Sequence, residues 1–211
     1  MADWTTVADL GTAAGTLVLA AATFASVRSS NRSARLAERS LQVRLRPLLL
    51  PSRLEDPTEK VGFQDEHWVR VEGGHTIAEV GDNAIYLATA LRNAGDGLAV
   101  LNGWTVWPRV FTGPDQQLPD ASAFRRLTRD LYIAAGTLGF WQGTYRDPSD
   151  PAFSVVAEVI KARVQFTIDV LYGDGEGGQR TISRFGIIPA GDNGWITAVS
   201  HHWFLDRPSP R

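Results

Sequence analysis

The chain has 211 residues, 21 Lys and Arg against 23 Asp and Glu, and no cysteine. That length allows one sizeable domain plus an appendage, and the missing cysteine excludes disulfides, thiolate catalysis and cysteine-ligated metals. The charge is uneven: residues 1–46 hold six arginines against Asp3, Asp9 and Glu38, so the remainder is mildly acidic, which argues against a dedicated nucleic-acid binder.

The first predicted element is apolar. Leu10 to Val27 are eighteen residues without a charge. As a helix they span about 27 Å, close to the roughly 30 Å of a bilayer core, with Trp4 at the level of the interfacial belt. Residues 1–27 are therefore expected to form a transmembrane helix. The opening "MADWTTVAD" is acidic, unlike the start of a signal peptide, and the arginines follow the apolar run. The positive-inside rule then puts the N-terminus outside and everything after Arg28 in the cytoplasm. Gly11 and Gly15 form a G-x-x-x-G, and Ala22 and Ser26 continue a face of small residues that would let two helices approach closely.

The next predicted element is basic. At about 100° per residue, Arg28, Arg32, Arg35 and Arg39 share one stripe, with Arg46 in line. Ala34, Ala37, Leu41, Leu45 and Leu48 lie opposite. Residues 28–52 thus read as a basic amphipathic juxtamembrane helix and linker. Arg28, Arg32, Arg35 and Arg39 are the expected contacts to anionic headgroups, and Pro47 and Pro51 should end the helix near Arg46.

From residue 53 to 211 the pattern changes to β-prone runs between glycine-rich turns. Strands are predicted over Trp68–Val71, Ile85–Arg92, Ala99–Val110, Leu131–Trp141, Val164–Tyr172, Arg180–Ile188 and Trp195–Phe204. In "RVQFTIDVLYGDGEGGQRTISRFGII", Val164, Phe166, Ile168, Val170 and Tyr172 alternate with Gln165, Thr167 and Asp169, the pattern of a half-buried strand leading into a hairpin. "SDPAFSVVAEVIKA" carries a helix start, Ser149 or Asp150 before Pro151, with Phe153, Val156 and Ile160 on one face. "PDQQLPDASAFRRLTRD" reads as a loop with one helical turn. The fold expected is mainly β: an antiparallel β-sandwich with one short packed helix, preceded by the long N-terminal transmembrane and juxtamembrane helix.

Chemistry is sparse. His201 and His202 are adjacent, so on a strand they face opposite sides and cannot easily share an ion; His67 and His75 have no spacing that joins them. "GDGEGG" lacks most of a calcium loop's ligands and reads as a hairpin turn. No nucleophile elbow, P-loop, H-E-x-x-H or dinucleotide fingerprint occurs. Trp104 and Trp107, three apart on a strand, face opposite sides, which puts at least one of them in the core. No catalytic residue, metal or cofactor is expected.

The stretches "LRNAGDGLA" (Leu91–Ala99), "VLYGDGEGGQRTISRFGI" (Val170–Ile187) and "GWITAVSHHWFLDRPSPR" (Gly194–Arg211) resemble a group of uncharacterised actinobacterial proteins. The resemblance implies one N-terminal transmembrane helix, an arginine-rich stretch ending near an Arg-Pro (Arg46-Pro47 here) and a β-rich domain, hence a bacterial inner membrane. It implies no activity. The functional expectation is a membrane-anchored cytoplasmic β-sandwich that binds a protein partner or a second copy of itself, as a scaffold or regulator. One alternative is a tethered small-ligand-binding domain or enzyme, with a pocket built from Arg184, Asp169 and the histidines. Another is a soluble oligomer packed through the N-terminal helix.

Overall fold

The computed structural model describes residues 4–192 and 194–206, without the side chains of 4–13, 39, 42–44 and 128. The chain divides into two compact units, Met1–Val43 and Arg44–Arg211.

The described residues of the first unit all belong to one continuous helix, α1 (Trp4–Arg44), of 41 residues, about 60 Å long at ~1.5 Å per residue. Alanine, leucine and arginine favour it, and no proline occurs before Pro47. The residue before a proline is pushed out of the helical region, and α1 ends just short of Arg46-Pro47. The apolar run and the arginine stripe are thus successive parts of the same rod. From Ala14 to Glu38 every side chain is exposed, including Leu17, Val18, Leu19, Phe24 and Val27. Among the described residues, no helix is long and apolar enough to cross a membrane. Ala14–Val27 is fourteen residues, about 21 Å of helix; the side chains of Leu10–Ala13, which complete the uncharged run, lie outside the described ones.

In the second unit the described residues form eleven strands and one α-helix. The strands are β1 (Leu49–Pro51), β2 (Glu59–Gly62), β3 (Trp68–Val71), β4 (His75–Val80), β5 (Ile85–Asn93), β6 (Ala99–Trp107), β7 (Arg125–Ile133), β8 (Leu138–Tyr145), β9 (Phe166–Gly173), β10 (Arg180–Ala190) and β11 (Gly194–Phe204). The helix α2 (Pro151–Lys161) lies between β8 and β9. All ladders are antiparallel. β2 and β3 pair with each other; the other nine strands form one sheet in the order β1-β5-β4-β11-β10-β9-β6-β7, with β8 on the opposite edge of β5 from β4. β7, the last strand of the path, and β8, on the other edge of β5, are joined by the turn 134–137, and Arg129 Nη2 donates to Gln142 Oε1 at 3.0 Å between them. The sheet therefore curls until its ends meet at that turn.

The main core lies inside this curl. Trp104 on β6 meets Trp141 and Tyr145 on β8 edge to face, although β6 and β8 are not ladder neighbours. α2 lays Phe153, Val156, Ala157 and Ile160 on the same core. Its start follows the sequence signal: Pro151 opens the first turn, and Asp150 caps it by accepting a hydrogen bond from Ala152 N. The β2–β3 ribbon covers Ala88 and Ala90 with Val61, Phe63, Val69 and Val71, a second small core.

Three strand expectations need correction. The expected strand Leu131–Trp141 is two strands, because the chain reverses at 134–137, where Gly136 takes φ +69°. Residues 125–130, expected in a loop, are the first part of β7; only the 3-10 turns Gly113–Asp115 and Ala121–Ala123 precede it. β9 is not half-buried: every residue from Phe166 to Gly173 is buried, so Thr167 and Asp169 also face packed surroundings. β1, β2 and β4 are absent from the sequence expectation, being short or interrupted by charged residues.

Candidate functional site

β9 and β10 are joined by the turn 174–179, and their pairing sets Arg184 opposite Asp169. Both are buried, at 1% and 0% exposure. Arg184 Nε donates to Asp169 Oδ1 and Nη2 donates to Oδ2, each at 2.8 Å. Trp107 Nε1 at the end of β6 adds a third hydrogen bond to Oδ2, at 2.7 Å. Taking two charges out of water costs several kcal/mol per ion. The bidentate geometry and the indole N–H return much of that cost.

Aromatic rings complete the surroundings of the guanidinium. Arg184 Cζ lies 3.8 Å from the centroid of Phe111 and 4.6 Å from that of Trp203. Arg109 Cζ lies 4.3 Å from the same Phe111 ring, and Trp107 meets Phe111 edge to face. Cation–π contacts of desolvated guanidinium groups are worth roughly 2 kcal/mol each.

One donor of this centre is unmatched. Arg184 Nη1 is buried and has no acceptor among the described residues, and such a loss costs about 1–3 kcal/mol, more for a charged group. Arg184 lines a cleft of about 280 Å³ together with Trp107, Arg109 and Phe111, with Asp115 at the end of the first 3-10 turn, and with Asp120, the cap of the second. Asp120 Oδ1 accepts hydrogen bonds from Ser122 N and Oγ, each at 2.8 Å. These bonds hold its carboxyl below the usual carboxylate range.

A second polar centre runs across β1, β9, β10 and β11. Leu49 N donates to Tyr172 Oη, Tyr172 Oη pairs with Ser183 Oγ at 2.8 Å, and Ser183 Oγ pairs with His202 Nδ1 at 2.7 Å. Burial pushes Tyr172 up to about 12 and, with a smaller contribution from His201, His202 down to about 4. Ser183 is fully buried and its hydroxyl is shared between two partners, so these bonds fasten four strands, β1, β9, β10 and β11, and offer no open nucleophile.

The structure brings Asp169 and Arg184 together and sets His201 opposite Arg184 in the β10–β11 ladder, but the other three histidines have partners elsewhere. His202 is committed to Ser183, His201 packs on Trp203, His67 Nε2 lies 2.9 Å from Glu79 Oε2 and His75 Nδ1 donates to Gly73 O. Among the described residues no three His, Asp or Glu side chains gather as a metal set. Arg28, Arg32 and Arg35 are exposed on α1, as are Ala22 and Ser26. Gly15 has open space where a Cβ would be. The side chain of Arg39, and the surroundings of Gly11, lie outside what the structure describes. Arg46 leaves the arginine stripe altogether: it is buried and paired with Asp206.

Sequence reasoning passes over Arg109, Phe111 and Trp203 as parts of this centre. A usable signal exists for the ion pair itself, one acid and one base near the middle of two apolar strands on either side of a single turn. No family model matches the chain, and no curated protein matches it.

Proposed function

We propose that this chain is a membrane-anchored module of a bacterial inner membrane. α1 is its anchor, with the N-terminus outside, and its β unit is a cytoplasmic β-sandwich that engages a protein partner or a second copy of itself. The observation that carries the reading is the exposure of Leu17, Val18, Leu19, Phe24 and Val27 on a helix that buries none of its described side chains from Ala14 to Glu38. Exposed apolar side chains on a long helix need lipid or a partner to cover them. Arg28, Arg32 and Arg35 follow the run on one side only, which favours lipid and sets the orientation. The sandwich reading is supported by contacts between strands that are not ladder neighbours, Trp104 with Trp141 and Leu49 N with Tyr172 Oη.

Alkaline carbonate extraction of membranes tests the anchor. The full chain is expected to stay in the pellet; release into the supernatant overturns the spanning helix. The cysteine-free sequence permits single-cysteine labelling of orientation. Ala2→Cys should react with a membrane-impermeant maleimide in intact spheroplasts, and Asp192→Cys only after permeabilisation.

A further inference from the structure

We propose that the cleft beside Arg184 binds a small zwitterion of the amino-acid class, its carboxylate on Arg184 Nη1 and the Arg109 guanidinium and its ammonium group toward Asp115 and Asp120. The inference concerns the β unit alone and does not rest on the anchor.

The first observation is the unmatched donor. Asp169 occupies the Nε and Nη2 edge of Arg184, and Nη1 has no acceptor among the described residues although it is buried. A ligand oxygen would satisfy it, and a carboxylate suits a guanidinium donor best. The second is Arg109. It is exposed, and its guanidinium has the Phe111 ring as its only partner among the described residues. Asp169 already neutralises Arg184, so Arg109 supplies the cationic charge that a carboxylate requires.

The third observation selects the ligand's other end. The lining of the same cleft includes two exposed carboxylates, Asp115 and Asp120. Asp115 makes no side-chain hydrogen bond or ion pair among the described residues, and Asp120 uses Oδ1 on Ser122 and leaves Oδ2 open. Two carboxylates repel a ligand that is only an anion and attract one that also carries an amine. Size is the fourth. About 280 Å³ falls just under the ~300–1,000 Å³ typical of drug-sized ligand pockets, which suits a ligand of few heavy atoms. Trp107 and Phe111 offer apolar contact to a short side chain.

Calorimetric titration of the purified full chain with each of the common L-amino acids, with acetate and with ethylamine tests the assignment. At least one amino acid should bind with one-to-one stoichiometry, and neither acetate nor ethylamine should match it. Arg109→Gln and Asp115→Asn should each weaken that binding about ten-fold or more, the loss of one charge-assisted contact. Both side chains are exposed, so the unfolding midpoint of each variant should stay where it is. No binding by any amino acid up to about 10 mM, a free energy weaker than ~3 kcal/mol, overturns the proposal. So does unchanged affinity in the two variants, and so does acetate binding as tightly as the best amino acid.

Discussion

Arg184 and Asp169 stand directly opposite each other on β10 and β9, both buried, and share two parallel hydrogen bonds of 2.8 Å. Breaking a buried pair from one side leaves the other charge without compensation, typically at about 3–5 kcal/mol. Asp169→Leu and Arg184→Met should each destabilise the β unit by about that much. The double variant should be clearly more stable than the sum of the two predicts, because it buries no lone charge. Denaturant unfolding followed by tryptophan fluorescence measures all three. Strict additivity of the single effects would show that the pair is not coupled.

Asn93, at the end of β5, joins three parts of the chain. Its Oδ1 accepts from Leu48 N and Gly95 N, and its Nδ2 donates to Gly97 O and Ile133 O. The turn that follows presses against the segment entering the sheet: a Cβ on Gly97 would lie 1.7 Å from Leu45 O, and one on Gly95 would lie 2.1 Å from Arg46 O. Backbone cannot yield at such distances without moving β1. Gly97→Ala should therefore cost about 2 kcal/mol or more. Gly177→Ala, which has open space and only a φ of +75° to contend with, should cost about 1 kcal/mol. Thermal unfolding midpoints should fall in that order.

This turn shows where sequence reading stops. "NAGDG" is legible as a turn because glycine and asparagine are turn formers. That Gly95 and Gly97 are required by the approach of residues 45–48 depends on a tertiary contact no local pattern encodes. The long strands β5, β6, β9, β10 and β11 and the cap of α2 are legible, since alternation and capping are local signals. The hairpin at 134–137 is not, because "IAAGTLGF" has no strong turn pair and continues the apolar run on both sides. Alternation puts Asp169 on the solvent face of its strand. The rings of Trp107 and Phe111, contributed by another strand and the loop after it, are what bury that face. Arg46 fits the helical arginine stripe by angle, but Pro47 ends the helix first and turns its side chain to a different use.

The half-buried His202 gives the β unit a pH dependence with a definite sign. His202 titrates at about 4 in the folded chain, lowered chiefly by burial, against about 6.5 when unfolded. Between those values the unfolded chain binds the extra proton, so unfolding is favoured as pH falls from about 6.5 toward 4. The contribution is at most about 3 kcal/mol, since a tenfold difference in proton affinity between the two states is worth ~1.4 kcal/mol. His202→Asn keeps a polar partner for Ser183 and cannot titrate. The drop in unfolding midpoint between pH 7 and pH 4.5 should be clearly smaller in this variant than in the parent, and an equal drop in both would mean other groups govern acid unfolding.

Arg46 and Asp206 lie 160 positions apart and close the ends of the β unit on each other. Arg46 Nη1 donates to Asp206 Oδ1 at 2.8 Å, Nη2 donates to Oδ2, and the guanidinium lies 4.6 Å from the centroid of Phe204. Arg46 is 9% exposed and Asp206 25%, so the pair is only partly screened by water and salt. A bidentate fork over a ring is a task for arginine, and lysine offers neither the second parallel hydrogen bond nor the planar stack. Arg46→Lys should therefore behave nearly as Arg46→Ala, each losing about 1–3 kcal/mol. A double-mutant cycle with Asp206→Ala should return a coupling of at least ~1 kcal/mol. That coupling should change little between low and high salt, in contrast to the near-zero, salt-sensitive values typical of exposed pairs. Full rescue by lysine would reduce the contact to simple charge neutralisation and remove any special requirement for arginine before Pro47.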